Sequence, residues 1–292
     1  MRIPFLLALL LFSACSGAKK LSVATEGEVA QNAFTKTISF DYATKHLFID
    51  VEIAGKTYNF LFDTGWDVTS ISKELGETLD IKTVAKQTVT GSSMEKHKTR
   101  FGFLPSLTIA EIDFQNIGVG MEDLSFITST RSDGKKVDGV IGANVIKKLY
   151  WQIDYSNKTI QFSDQLKHLS IGDNAYQIPM IRKSTYNWGA NKIEVDLNNH
   201  PEQFIFDTGS SGGFTGNFQL YERLKSNDPS IEMNRQSVNI ANLSLDTLKL
   251  KNTSLSIEKG VSLLIGNDFL EHYLVTMDSD KNILYLVPNN SN

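Results

Sequence analysis

Apolar and polar residues alternate in two stretches of the chain, residues 49–53 and residues 193–197, which lie 144 positions apart. A period of two is typical of a strand that buries one of its faces. Each stretch is followed by turn-forming residues and then by three consecutive apolar residues, Phe60–Phe62 in the first case and Phe204–Phe206 in the second. The pattern therefore predicts a β-hairpin that leads into a buried strand, and it predicts this twice.

The two hairpins belong to a longer internal duplication. Residues 109–116 correspond to 245–252 at an offset of 136, and residues 140–142 correspond to 264–266 at an offset of 124. The offset falls along the chain because the second half has shorter loops, as expected when two copies of one unit keep their strands and lose loop residues. We therefore predict an all-β protein of two duplicated β-barrel lobes.

The duplication also sets the predicted domain limits. The first lobe covers residues 36–165, a connector covers 166–190, and the second lobe covers 191–292, although residues 176–182 could already begin the second lobe. Helical patterns are confined to three short segments: residues 71–79, 145–150 and 269–273. A chain of 292 residues is long enough for one large domain or two small ones, each with its own core.

The N-terminus has the features of an export signal. Arg2 precedes an apolar run from Ile3 to Phe12, which is too short to span a bilayer, and the run ends in Ser13-Ala14-Cys15. This segment resembles a bacterial lipoprotein signal. The resemblance implies that residues 1–14 are a signal peptide that is removed before Cys15, and that Cys15 is lipidated.

Residues 18–32 are polar and small, so we interpret residues 15–35 as a lipidated tether. The resemblance implies that the protein is anchored in the bacterial cell envelope. Ser16 favours the outer membrane. The alternative is an ordinary signal peptide that happens to contain a cysteine. Cys15 is the only cysteine of the chain, so no intramolecular disulfide can form.

Charge and composition exclude several classes of partner. The chain has 29 basic and 33 acidic residues, a net charge of −4, and no basic stripe that would indicate nucleic-acid binding. Its five histidines have no metal-ligand spacing, and no phosphate-binding loop is present. We expect no cofactor, no metal, a membrane contact only through the lipid anchor, and a monomer.

An Asp-Thr-Gly triplet follows each buried strand, as Asp63-Thr64-Gly65 and as Asp207-Thr208-Gly209. Two carboxylates that meet at a two-fold axis can hold one water between them, and the ionised one can accept a proton from it. The second carboxylate stays protonated, because two close carboxyl groups share a proton, and it can donate to a carbonyl oxygen. This chemistry hydrolyses a peptide bond without a metal or a covalent intermediate.

The sequence FLFDTG with VIG in the first half, and FIFDTG with LIG in the second, resembles the retropepsin-like and pepsin-like aspartic peptidases. The bacterial retropepsin-like group is more similar, since GNDFL at 266–270 is common there. The resemblance covers both lobes and implies a bilobal acid-protease fold with the active site at the lobe interface. It implies Asp63 and Asp207 as the catalytic dyad, supported by the residues next to them: Thr64, Gly65, Thr208, Gly209 and Ser210.

The residues after the first triplet depart from that family. Trp66 stands where a small residue is usual, and it must either line the cleft or pack beneath the loop. Asp67 lies where viral retropepsins place an aspartate that contacts the substrate backbone, although a solvated loop carboxylate is equally consistent. Residues 88–100 predict a flap hairpin with Gly91 and Ser92 at its tip. We assign four residues to substrate binding: Trp66, Asp67, Gly91 and Ser92.

We therefore predict an aspartic endopeptidase that cleaves an extended peptide or protein substrate lying across the cleft. Two alternatives stay open at this point. One is a catalytically inactive peptide- or protein-binding module of the same fold, and the other is a peptidase that processes only itself or a single target.

Overall fold

A computed structural model of the protein describes residues 22–91, 96–182 and 189–289. The predicted signal peptide, Cys15 and Ser92 lie outside these residues. None of the described helices is long and apolar enough to cross a membrane. The described residues are mostly strands, so the prediction of an all-β protein is confirmed.

The described strands of the first half are, in order, β1 (Glu28–Val29), β2 (Thr35–Ser39), β3 (Asp41–Ala43), β4 (His46–Ile53), β5 (Lys56–Phe62), β6 (Ser70–Ser72), β7 (Ala85–Thr90), β8 (Lys96–Ile109), β9 (Ile112–Glu122), β10 (Gly139–Ile141), β11 (Tyr150–Asp154) and β12 (Thr159–Ser163). Those of the second half are β13 (Tyr176–Ile181), β14 (Lys192–Leu197), β15 (Pro201–Phe206), β16 (Phe214–Asn217), β17 (Met233–Asn234), β18 (Ser237–Leu245), β19 (Leu248–Glu258), β20 (Leu264–Ile265), β21 (Tyr273–Asp278) and β22 (Ile283–Pro288). The helices are α1 (Lys73–Thr78), α2 (Ala143–Ile146), α3 (Phe218–Asn227) and α4 (Asn267–Leu270), with a 3₁₀ turn at Leu166–His168.

The backbone repeats the duplication at the turns. The β4–β5 turn has positive φ at Ala54 (51°) and Gly55 (74°), and the β14–β15 turn has it at Asn198 (54°) and Asn199 (69°). Two consecutive residues with positive φ form the type I′ turn that matches the twist of a hairpin. Since the two turns are 144 positions apart, as the sequence offset requires, the hairpins are copies in three dimensions as well as in sequence.

Six neighbouring strands of a thirteen-stranded sheet form a central sheet that joins the two halves, in the order β13-β22-β21-β11-β12-β2. Its middle strands, β11 and β21, are the duplicated copies of each other, and they pair in an antiparallel manner. Gln152 lies opposite Thr276, its own equivalent at offset 124, and its Nε2 donates to Thr276 Oγ1 at 2.8 Å. The pseudo-two-fold axis of the molecule therefore passes between these two residues.

The connector contributes to this sheet. β13 lies in its later part and pairs with β22 of the central sheet and with β14 of the second lobe. The predicted limits of the lobes and connector stay predictions.

The helices differ from the sequence prediction in two ways. α2 and α4 begin directly after Gly142 and Gly266 and are complete before Tyr150 and Tyr273, which begin strands instead. α3 was not predicted. Its start is nevertheless encoded, because the Asn217 side chain accepts the Leu220 N–H, and its apolar residues Leu220 and Leu224 are spaced one helical turn apart and buried.

The N-terminal segment packs against the first lobe, which differs from the tether predicted for residues 15–35. Residues 22–25 are helical, Val23 and Ala24 are buried, and β1 pairs with β9. The Val23 carbonyl approaches Gly118 so closely that a Cβ at position 118 would lie 1.9 Å from its oxygen. Apolar burial and a strand pairing thus fix residues that look polar and linker-like in sequence.

We expect Gly118→Ala to lower the free energy of unfolding by about 1–3 kcal/mol and to release residues 22–29, because the added methyl group overlaps the Val23 backbone. Urea denaturation and limited proteolysis with identification of the new N-terminus measure the two effects. Gly213→Ala is the matched control, since its Cβ would meet nothing closer than 3.6 Å. Equal stability and equal protease resistance in the two variants would contradict the expected overlap.

Candidate active site

Each aspartate leaves its strand at an equivalent point. β10 runs parallel to β5 with Ile141 opposite Phe62, and β20 runs parallel to β15 with Ile265 opposite Phe206. The backbone N–H of Asp63 donates to Ile141 O at 3.0 Å, and that of Asp207 donates to Ile265 O at 2.9 Å. The apolar pair before each Gly142 or Gly266 therefore holds the strand end from which the carboxylate projects.

Thr64 and Thr208 lock the two loops together with four buried hydrogen bonds. The Thr64 hydroxyl donates to Phe206 O at 2.9 Å and accepts the Thr208 N–H at 3.0 Å. The Thr208 hydroxyl donates to Phe62 O at 2.8 Å and accepts the Thr64 N–H at 3.0 Å. The donors and acceptors of one loop are thus satisfied by the other, so neither loop can move alone.

Gly65 and Gly209 allow the carboxylates to approach the opposite loop. A Cβ at Gly65 would lie 2.5 Å from Asp207 Oδ1, and a Cβ at Gly209 would lie 2.1 Å from Asp63 Oδ2. Any side chain at either position would displace a carboxylate. The requirement for glycine is steric, since neither residue has positive φ.

The two carboxyl groups lie in hydrogen-bond contact and are almost fully buried, with Asp63 6% and Asp207 7% exposed. Asp63 Oδ1 accepts the N–H groups of Gly65 at 2.8 Å and Trp66 at 3.0 Å. Asp207 Oδ1 accepts the Gly209 N–H at 2.9 Å. The side chains are oriented by the backbone of their own loops.

Burial raises the pKa of both carboxyls above the ordinary value. The negative charge of Asp207 and its hydrogen bond raise the pKa of Asp63 further, well above its usual range. At Asp207 the same hydrogen bond and the N–H groups of Gly209 and Ser210 oppose the rise. The two carboxyls therefore share one proton and titrate as a coupled pair.

Trp66 is partly buried and packs against the first lobe. The indole Nε1–H donates to Ser70 Oγ at 2.9 Å, and the ring packs against a small apolar cluster that includes Leu61 and Val140. The ring of Phe126 stacks on Trp66, with centroids 6.2 Å apart and planes 12° apart. Phe126 is 49% exposed, so the stacked pair forms an aromatic surface that reaches solvent.

Asp67 forms a hydrogen bond through its side chain, and Ser210 forms one through its backbone carbonyl. Asp67 Oδ1 accepts the backbone N–H of Ala190 at 2.8 Å, so the carboxylate links the first loop to the start of the second lobe. The backbone carbonyl of Ser210 accepts the Asn267 N–H at 2.8 Å. Among the described residues, the Ser210 hydroxyl makes no hydrogen bond with Asp207.

The predicted flap region contains a hairpin. β7 and β8 pair from Ala85 opposite Phe101 to Thr90 opposite Lys96, so the hairpin begins earlier than the predicted Thr88. Gly91 follows β7 and is partly buried, and Ser92 lies outside the described residues. In the second half the corresponding hairpin is short, with β17 paired to β18 through only two positions. One long and one short hairpin is the asymmetry that the loop lengths predicted.

Sequence reasoning missed the contacts between the lobes. The Tyr42 hydroxyl donates to Glu271 Oε2 at 2.6 Å, and Lys45 forms ion pairs with Asp268 and Glu271, the latter at 2.8 Å. Asn267 bonds to both halves. The ion pairs are not repeated in sequence, because the equivalents of Lys45, Asp268 and Glu271 are Gly189, Asn144 and Lys147. In the part of the chain that the structure describes, no group of three or more acidic, histidine or cysteine side chains could hold a metal ion.

Comparisons with known proteins agree with this geometry. The sequence model of a family described as "Aspartyl protease" matches residues 49–145, which include the first Asp-Thr-Gly triplet. A solved structure, the basic 7S globulin from soybean, is similar with a TM-score of 0.56 and 10% sequence identity, over 90% of this chain and 95% of the globulin chain. No curated protein matches. The family match supports an aspartyl-protease type of protein, and the structural likeness shows a bilobal pepsin-like fold.

The raised pKa of Asp63 has a consequence for stability. A carboxyl whose pKa is higher in the folded state binds protons more tightly there, so stability falls as pH rises above the unfolded value of about 3.9. Asp63→Asn removes this cost. We expect its free energy of unfolding, relative to the wild type, to increase between pH 4 and pH 7.

Urea denaturation at pH 4, 5.5 and 7 measures this difference. Asp246→Asn, at an exposed aspartate of the β18–β19 turn, is the matched control. If the two variants change in parallel with pH, Asp63 does not carry a raised pKa in the folded protein.

Proposed function

We propose that this protein is an aspartic endopeptidase in which Asp63 and Asp207 hold the attacking water between them. The proposal is supported above all by one observation: two buried carboxyls meet in hydrogen-bond contact at the pseudo-two-fold axis of a duplicated fold. Since the pair shares one proton, the ionised carboxyl is the base and the protonated one is the acid, and we propose Asp207 as the base and Asp63 as the acid. The family match over residues 49–145 supports the same type of activity.

The reaction follows from these two protonation states. Asp207 accepts one proton of the water as its oxygen attacks the carbonyl carbon, and Asp63 gives its proton to the carbonyl oxygen. The resulting intermediate has two hydroxyl groups on one carbon. Asp207 then donates its proton to the amide nitrogen as the C–N bond breaks, and Asp63 recovers a proton from a hydroxyl as the carboxylic acid forms.

The surroundings of the dyad support an extended peptide as substrate. The β7–β8 hairpin is the candidate flap, and the Trp66–Phe126 surface offers a large aromatic contact for an apolar side chain. Both catalytic carboxylates come from one chain, so the proposed active unit is a monomer. Asp67, with one oxygen bonded to Ala190, is proposed to order the loop at the edge of the cleft as well as to border the substrate.

We expect a soluble fragment of residues 16–292 to generate new peptide termini from a diverse peptide mixture between pH 3 and pH 8. Asp63→Asn and Asp207→Asn should each reduce cleavage by at least about a thousandfold, because each removes an essential proton carrier. Mass spectrometry of the products measures cleavage, and circular dichroism shows whether the variants are folded. Asp246→Asn is the control that keeps its activity.

Full activity in either dyad variant would overturn the proposal. A wild-type protein that binds a statine-type transition-state mimic and cleaves nothing would favour the inactive binding module instead.

We further propose that the protein is lipid-anchored at Cys15 in the bacterial cell envelope, in the outer membrane. Because residues 22–29 pack on the first lobe, a lipidated Cys15 would leave only residues 16–21 as a spacer. Six extended residues reach about 20 Å, so the first lobe would lie close to the membrane surface.

Cys15→Ser should abolish incorporation of a labelled fatty acid and should move the protein from the membrane fraction to the soluble fraction. A protein that stays in the membrane fraction after this change is held there by something other than the lipid.

A further inference from the structure

The two halves of the site differ directly beneath the aspartate loops. Asn267 follows Gly266 in the second half, and the equivalent residue of the first half, at offset 124, is Ala143. The Asn267 side chain is fully buried. Its Nδ2 donates to Thr208 O and to Lys45 O, both at 2.7 Å. The amide thus connects the second triplet to the first lobe.

Tyr155 completes this arrangement. Its hydroxyl donates to Asn267 Oδ1 at 2.7 Å, and its equivalent in the second half is Ser279. The Tyr155 ring is held edge-on by Phe40 at 6.0 Å and Tyr42 at 5.6 Å between centroids. With one bond at the oxygen and two at the nitrogen, the Asn267 amide has a fixed orientation.

The other half has no counterpart to this pair. Ala143 and Ser279 line a small cavity of about 20 Å³ next to Thr64, where a side chain as large as asparagine or tyrosine stands in the opposite half. That volume corresponds to about one water molecule. The Thr208 carbonyl is therefore held by a side-chain amide, whereas Ala143 offers no side-chain donor to the Thr64 carbonyl.

The network reaches the carboxylate through one peptide group. The Thr208 carbonyl, which accepts the Asn267 amide, belongs to the same planar peptide as the Gly209 N–H, which donates to Asp207 Oδ1 at 2.9 Å. Fixing the carbonyl end therefore fixes the direction of the N–H end. A donor on the carbonyl also polarises the peptide and strengthens the bond that its N–H makes.

We propose that Asn267 and Tyr155 are positioning residues that act through the Thr208–Gly209 peptide to hold Asp207 in place and favour its ionised form. This inference rests on the proposed function and deepens it, because it explains how two duplicated aspartates come to have different roles. Neither residue touches the reacting atoms.

Asn267→Ala tests the proposal. We expect kcat to fall about 10- to 100-fold with KM changed less than about threefold, because the base is misplaced while the cleft is intact. We also expect the acid limb of the kcat/KM profile to move to higher pH, since the ionised form of Asp207 loses support. Tyr155→Phe, which removes a single oxygen, should shift both quantities in the same direction by a smaller amount.

Asn144→Ala is the matched control. Asn144 is also a buried amide with two hydrogen bonds, from the Thr69 N–H at 2.7 Å and to Gly118 O at 2.8 Å, and neither partner belongs to an Asp-Thr-Gly triplet. It should lose stability without a change in the acid limb. The proposal is wrong if Asn267→Ala and Tyr155→Phe show the same kcat as Asn144→Ala and the same acid limb of the kcat/KM profile.

A titration of ¹³C-labelled aspartate separates this inference from the proposed function. The carboxyl resonance of Asp207 should titrate at higher pH in Asn267→Ala than in Asn144→Ala, whether or not the wild type cleaves peptides. A wild type without cleavage but with this shift would refute the peptidase and support the positioning role. Peptide cleavage by the wild type, without a shift of the Asp207 resonance in Asn267→Ala, would support the peptidase and refute the positioning role.

Discussion

The four hydrogen bonds between Thr64 and Thr208 are the constraint on which the rest of the structure depends. Each hydroxyl donates to a carbonyl of the opposite loop and accepts the N–H of the opposite threonine, in a fully buried setting. Breaking one bond would leave a buried polar group without its partner, which costs more than the bond itself contributes. The two aspartates are therefore held in contact although their mutual repulsion and burial oppose it.

That constraint requires two equivalent strand ends at one axis, and the duplicated fold supplies them. The pairing of β11 with its own copy β21 places the pseudo-two-fold axis between Gln152 and Thr276. The two aspartate loops are related by the same axis. β10 and β20 then hold the ends of β5 and β15 through the same register. The positions of the two aspartates are thus fixed by strand pairing in a continuous core. Few side chains of the loops are needed to hold them.

The parts of the structure that could be predicted from sequence are those that duplication repeats. Period-two alternation, the turns at residues 54–55 and 198–199, and the two triplets each occur twice at a consistent offset, so each copy supports the other. What could not be predicted occurs once. The packing of residues 22–29 depends on the absence of a side chain at Gly118, and Asn267 has no polar counterpart at Ala143. Helix α3 occurs once but carries a sequence signal, namely the Asn217 cap and the spacing of Leu220 and Leu224. That signal is confined to a short segment.

The departures from symmetry have a chemical reason. Hydrolysis by two carboxyls needs one acid and one base, and two identical aspartates in identical surroundings would share the proton equally. The triplets themselves are equivalent, so the difference must come from their neighbours. On the side of Asp63, Ala143 offers no side-chain donor to the loop, and a small cavity lies beside Thr64. On the side of Asp207 they are Asn267 and Tyr155, which connect the loop to the other lobe. A symmetric frame fixes where the carboxyls meet, and we propose that unrepeated residues around it decide which of them is ionised.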